Sequence, residues 1–181
     1  MNNYENFWEN RSNSKNQYIH SISNLCNNEE FARLKNKFEK DKIIKLFETL
    51  KRKFNSCIDI GAGTCQWTEI LANYSKNILE TDTSSKMLLL GKENNLNIEK
   101  TSKISYFFGD ITIEQKPENS PYDLIFLSGL LLYLDKIKYN NLMRFISDNI
   151  NIGTLIILRE PVGLNGKYII NNEYSEELKC N

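Results

Sequence analysis

The stretch Cys57-Ile58-Asp59-Ile60-Gly61-Ala62-Gly63-Thr64-Cys65 decides the fold. A short apolar run, residues 57–60, stops at two glycines two positions apart, and a helical pattern follows over residues 66–74. Two glycines so placed let the backbone turn tightly and approach a ligand closely. Working outward, the same rhythm recurs. Residues 78–82 read as a second strand, with a helix from about Ser84 to Glu93 behind it, and residues 104–108 as a third. Residues 122–127 form a fourth, near-continuously apolar, as a strand buried on both faces should be. Residues 136–150 are helical, and residues 154–158 are a fifth strand after a turn at Gly153. This alternation predicts an α/β fold with a doubly wound, mostly parallel sheet and right-handed crossovers.

Upstream of the first strand the pattern is helical over residues 29–54. Phe31, Leu34, Phe38, Ile43, Leu46, Phe47, Leu50 and Phe54 recur mostly at three- and four-residue steps, and Asn27 or Asn28 caps the start. Residues 4–25 are aromatic and polar and predict one or two short helices. Residues 1–54 thus read as a helical cap on an α/β core at residues 55–181, one domain overall. A length of 181 residues leaves little room for a second domain, and 40% hydrophobic content fills a core.

With 23 basic and 23 acidic side chains the chain lacks the broad positive field that non-specific nucleic-acid binding needs. The longest apolar run, residues 124–134, is interrupted by Ser128 and Gly129 and is shorter than the roughly 20 residues of a membrane span. The N-terminus has no basic and apolar secretory pattern, so a cytoplasmic location with reduced thiols is expected. Cys26, Cys57, Cys65 and Cys180 have no Cys-x-x-Cys spacing, and His20 is the single histidine, which argues against a zinc site.

In an open parallel sheet, ligands bind beyond the carboxyl ends of the strands. The residues there are the Gly61 to Gly63 turn, Asp82, Gly109-Asp110 and Ser128-Gly129. Two cofactor classes use a glycine turn and an acid after the second strand. A nicotinamide or flavin dinucleotide wants a third glycine where this chain has Gln66, and its pyrophosphate would face Asp59 at a cost on the order of 1 kcal/mol or more. S-adenosylmethionine carries a sulfonium and an ammonium, which a carboxylate attracts. The electrostatics favour S-adenosylmethionine.

Asp59-x-Gly61-x-Gly63, Asp82-Thr83-Ser84-Ser85-Lys86-Met87-Leu88, Gly109-Asp110 and Tyr122-Asp123-Leu124-Ile125 together resemble the class I S-adenosylmethionine-dependent methyltransferases over residues 57–162. The resemblance implies a Rossmann-like sheet and the following roles. Asp59 holds the methionine ammonium, directly or through water, while Gly61, Ala62 and Gly63 pass under the methionyl and ribose parts. Asp82 bridges the ribose hydroxyls, and Thr83 and Met87 border the adenine. Asp110 accepts from the adenine amino group beside Ile111, and Ser128 lines the methionine side. Cys65 departs from the pattern, which usually has another small residue there. Against these stand plainer roles: a tight turn for the glycines, a helix cap for Asp82, a turn for Asp110 and core packing for Met87. Nothing basic near Cys65 in sequence marks it as a nucleophile.

Methyl transfer from a sulfonium rests mostly on alignment, with a base needed only where the acceptor must lose a proton. Tyr133 stands where small-molecule members of the family carry a histidine, and it either orients an acceptor hydroxyl or packs against the sheet. His20, in the aromatic N-terminal segment, and Glu160, at the end of the fifth strand, are the candidate bases. The absence of an Asn-Pro-Pro-Tyr-like run and the neutral charge point to a small-molecule, sugar or lipid-precursor acceptor, methylated on O or N, rather than a nucleic acid. A non-catalytic S-adenosylmethionine-binding module and an NAD(P)-dependent oxidoreductase are the competing expectations. Family members continue past the fifth strand with a hairpin supplying strands six and seven. Residues 163–181 are too few for that, so a truncated sheet is expected, with an exposed edge open to homodimerisation.

Overall fold

The computed structural model describes residues 29–95, 98, 102–113 and 120–160. Its elements run α1 (Glu29–Leu50), β1 (Phe54–Ile60), α2 (Thr68–Tyr74), β2 (Ser75–Asp82), α3 (Ser85–Asn94), β3 (Lys103–Phe108), β4 (Tyr122–Ser128), a 3₁₀ turn (Leu131–Tyr133), α4 (Lys136–Asp148) and β5 (Ile150–Arg159). The expected segments at residues 4–25 and 163–181, with His20, Cys26 and Cys180, lie outside the described residues.

The five strands form one parallel sheet in the order β3-β2-β1-β4-β5. The chain winds outward from β1 through β2 to β3, then returns to β4 on the other side of β1. The strand order therefore reverses between β1 and β4, and the crevice at their carboxyl ends is where a ligand belongs.

Alternation along β4 shows why the sheet must be covered twice. Leu124 and Phe126 join Phe47, Trp67, Leu71 and Ile78 in one core cluster, under α1 and α2. Ile125 and Leu127 join Ile58, Leu142, Phe145 and Ile146 in a second cluster, under α4. Each fully buried side chain contributes about 1.5–3 kcal/mol, so neither face can be left bare. Phe47 anchors α1, stacking on Tyr74 at 4.5 Å between centroids.

Several boundaries differ from the sequence expectation, β1 and β2 each beginning three residues earlier. The helix over residues 29–54 stops at Leu50, because Lys51 takes a left-handed φ of 48° and releases the chain into β1 at Phe54. The apolar stripe of α1 is buried only in part: Ala32 and Phe47 face the core, while Phe31, Leu34 and Phe38 stay exposed. β5 begins at Ile150 rather than at residue 154, since Gly153, at φ 92°, sits inside the strand beside a register shift opposite Tyr122 and Leu124. Helix starts follow local chemistry: the Ser84 side chain accepts from Met87 N–H at 3.4 Å, and Asp135 accepts from Lys138 N–H at 2.9 Å.

Candidate active site

A cavity of about 530 Å³ opens over the carboxyl ends of β1, β2 and β4. Gly61, Gly63, Asp82, Thr83, Met87, Asp110, Ile111, Ser128, Tyr133 and Glu160 all line it. Residues read from five separate strand ends therefore meet in one site. His20 lies outside the described residues.

Two expected residues do not reach the cavity wall. Ala62 is buried, its N–H bonded to Thr81 O at 2.9 Å. Asp59 is 1% exposed, and neither of its carboxylate oxygens has a hydrogen-bond partner. A residue two positions before the turn points into the sheet face, so any influence of Asp59 on a ligand passes through the turn.

The turn itself is closed by its own hydrogen bonds. Gly61 and Ala62 both donate to Thr81 O at 2.9 Å, and Cys65 donates back to Ala62 O at 2.9 Å. Gly63 donates to Asp82 Oδ2 at 2.8 Å, while Asp82 Oδ1 accepts from Ser84 N–H at 2.8 Å. Asp82 thus fastens Ser84, the cap of α3, and does a job the sequence did not announce, pinning the turn. Gly61 and Gly63 have φ of 75° and 58°, and a Cβ on Gly61 would stand 3.0 Å from Leu130 Cδ1. The left-handed twist favours glycine at both positions, and at Gly61 a side chain would also press on Leu130.

Cys65 continues this left-handed path at φ 56°, a conformation that costs a non-glycine residue about 1–2 kcal/mol. Its thiol is pushed far up by burial and then by Glu80, Asp59 and Asp82, so it carries no nucleophile. Room for the sulfur comes from Gly91 on α3, where a Cβ would meet Cys65 Sγ at 2.5 Å.

On the other side of the cavity, Glu160 Oε1 accepts the N–H groups of Leu130 and Leu131 at 2.9 and 3.2 Å. The carboxylate thereby holds the start of the 3₁₀ turn that ends at Tyr133. Ser128 Oγ accepts from Trp67 Nε1 at 3.0 Å and from Arg159 Nη1 at 3.4 Å. Asp110 Oδ1 accepts from the backbone and hydroxyl of Thr112 at 3.0 and 2.6 Å, so it makes the expected turn and still lines the cavity.

Sequence reasoning missed the contribution of α1. Lys35 and Glu39 line the cavity, Glu39 is ion-paired with Arg159, and Asn36 Nδ2 donates to Gln66 Oε1 at 2.8 Å. The Glu39 and Arg159 partners lie 120 residues apart, and no local pattern announces such a pair. Gln66, read only as a missing glycine, is the residue that docks α1 on the turn.

This geometry can be tested against the two cofactor classes. A pyrophosphate needs free N–H donors at the first turn, yet those of Gly61, Ala62, Gly63 and Cys65 are already bonded, and Asp59, Glu80 and Asp82 gather acid there. The same acids and glycines suit an uncharged ribose carrying a cationic amino-acid tail. The residues present fit S-adenosylmethionine.

A Rossmann-like parallel sheet with an acid-pinned glycine turn defines the class of protein. Residues 58–147 match the family described as a methyltransferase domain, and the chain belongs to the class I S-adenosylmethionine-dependent methyltransferases. It is 32% identical over 77 residues to phosphoethanolamine N-methyltransferase 1 of Caenorhabditis elegans, covering 42% of this chain and 15% of that enzyme. It is similar in structure to phosphoethanolamine N-methyltransferase 1 of Haemonchus contortus, solved with phosphoethanolamine and S-adenosylhomocysteine, with a TM-score of 0.69 and 26% identity over 87% of this chain and 31% of that one. N-methyltransferase NodS from Bradyrhizobium japonicum shares the fold, with a TM-score of 0.66 and 15% identity over 87% of this chain and 72% of that one. The chain thus spans less than a third of the length of either phosphoethanolamine enzyme. Among the described residues, no helix is long and apolar enough to cross a membrane.

Proposed function

We propose that the chain binds S-adenosylmethionine and transfers its methyl group to a nitrogen or oxygen of a small-molecule acceptor. The observation that carries this reading is the closed turn: bonded N–H groups beside Asp82 suit a ribose and repel a phosphate. When bound, the cofactor supplies a methyl group on a sulfonium that leaves readily, so the protein's task is alignment. Asp82 accepts the ribose hydroxyls, Asp110 the adenine amino group, and Thr83, Met87 and Ile111 bound the adenine. Tyr133 orients the acceptor, and Glu160 positions the turn that carries Tyr133.

The acceptor we favour is a small amine bearing an anionic group, of which phosphoethanolamine is the example. Two similar enzymes are named for that substrate, and Lys35, Lys138 and Arg159 give this cavity cationic side chains to meet a phosphate. Calorimetry with S-adenosylhomocysteine and with NADH tests the cofactor: binding of the first alone is expected, and binding of NADH alone overturns the reading. Transfer of labelled methyl to phosphoethanolamine but not to ethanolamine tests the anionic group, and equal transfer to both removes it.

A further inference from the structure

Glu80 takes no part in the cavity, yet it is fully buried. It is the register partner of Asp59 across β1 and β2, and the row continues to Phe126 on β4 and to Tyr106 on β3. Thr68 of α2 donates to Glu80 Oε1 at 2.6 Å. The remaining oxygens, Glu80 Oε2 and both of Asp59, are buried without a donor. Two carboxyl groups thus lie side by side on neighbouring strands, acceptor against acceptor, away from water. They cannot both ionise freely there, whereas a single proton held between them turns one into the donor that the other lacks.

The geometry points to a proton-sharing Asp59–Glu80 pair beneath the Gly61 to Gly63 turn, which makes binding of a cationic cofactor above the turn expel a proton. Glu80 is then a positioning residue that acts through Asp59. This rests on the cofactor reading given above. The groups facing the pair are Cys57 on β1, Cys65 in the turn, Asp82 at the end of β2, Thr68 on α2 and Tyr106 on β3. The Lys92 ammonium of α3 lies 5.6 Å from the Tyr106 ring centroid. The acids among these groups oppose ionisation of the pair, and a cation arriving above the turn favours it. Burial is the main cause lifting both carboxyls. Asp59 is raised well above the usual carboxylate range, with Glu80 as the next cause, and Glu80 is pushed up to about 7, the Thr68 hydroxyl opposing the rise. The pair therefore changes charge near neutrality, where proton release on binding is measurable.

The test is calorimetry of S-adenosylhomocysteine and S-adenosylmethionine binding to the full chain, in buffers of different ionisation enthalpy. Wild type should release about 0.4 to 0.5 proton per ligand at pH 7. If the ligand lowers the titration of the pair by one unit, affinity should rise about fourfold between pH 6 and pH 7.5. Glu80→Gln should bind with no proton released and with flat pH dependence, because its amide supplies Asp59 with a permanent donor. Wild-type binding without proton exchange overturns the inference, whether or not the variant folds. The same release from Glu80→Gln overturns it too, by tracing the proton elsewhere. A folded wild type that binds neither ligand overturns the cofactor reading and this inference together.

Discussion

The carboxylate of Asp82 accepts the backbone N–H of Gly63 at 2.8 Å across a separation of 19 residues, tying the end of β2 to the turn after β1. Its other oxygen holds Ser84 at 2.8 Å, so one side chain sets both the floor of the cavity and the start of α3. Asp82→Ala frees two donors and removes the proposed ribose acceptor. Stability should fall by about 1.5–3 kcal/mol, the worth of hydrogen bonds to a charged group. The rise in Tm produced by S-adenosylhomocysteine should vanish, and thermal melts with and without the ligand check both effects. A full thermal shift in the variant would remove Asp82 from cofactor binding.

Gly91 and Cys65 are matched. Alanine at position 91 gains about 1 kcal/mol in helix propensity but places its Cβ 2.5 Å from Cys65 Sγ and 2.9 Å from the carbonyl carbon of Thr64. Overpacking of this kind costs about 1–3 kcal/mol, and a backbone atom cannot swing away as a flexible side chain would. Gly91→Ala should therefore destabilise in urea unfolding. Cys65→Gly removes the sulfur and the left-handed strain, so the double variant should be more stable than the two single effects predict when added.

Glu160 holds two backbone N–H groups through one oxygen, which is the work of a positioning residue. Glu160→Gln keeps an acceptor oxygen, so methyl transfer should stay within a few-fold of wild type. A general base at this position would instead lose about 10²–10⁴-fold. Glu160→Ala should lose stability by about 1–3 kcal/mol, measured by denaturant titration beside the turnover assay.

The buried acid pair gives stability an unusual pH dependence. Glu80 titrates near 4.5 when unfolded and about 7 when folded, so the folded chain holds more protons between those values. Stability is full below the lower value and is lost as the pH rises through the higher one, by on the order of 3 kcal/mol. Tm should fall from pH 5 to pH 8, and Glu80→Gln should flatten that slope. A Tm that climbs over this range would contradict the burial of a proton.

What the chain determines locally was legible without coordinates. Period-two and period-3.6 patterns marked all five strands and the helices between them, since burial on both faces forces continuous apolar runs such as that in β4. Strand-end residues announced the cofactor side, because a parallel sheet gathers every carboxyl end at one edge. Tertiary structure decided what depends on contacts distant in sequence. The Glu39–Arg159 pair, the Asn36–Gln66 bond and the Gly91 space for Cys65 join residues from separate elements. Asp59 illustrates the difference best. Its place before the glycines was readable as a ligand for a cation, but strand pairing turned it toward Glu80, because side chains that share a register position must share a face of the sheet.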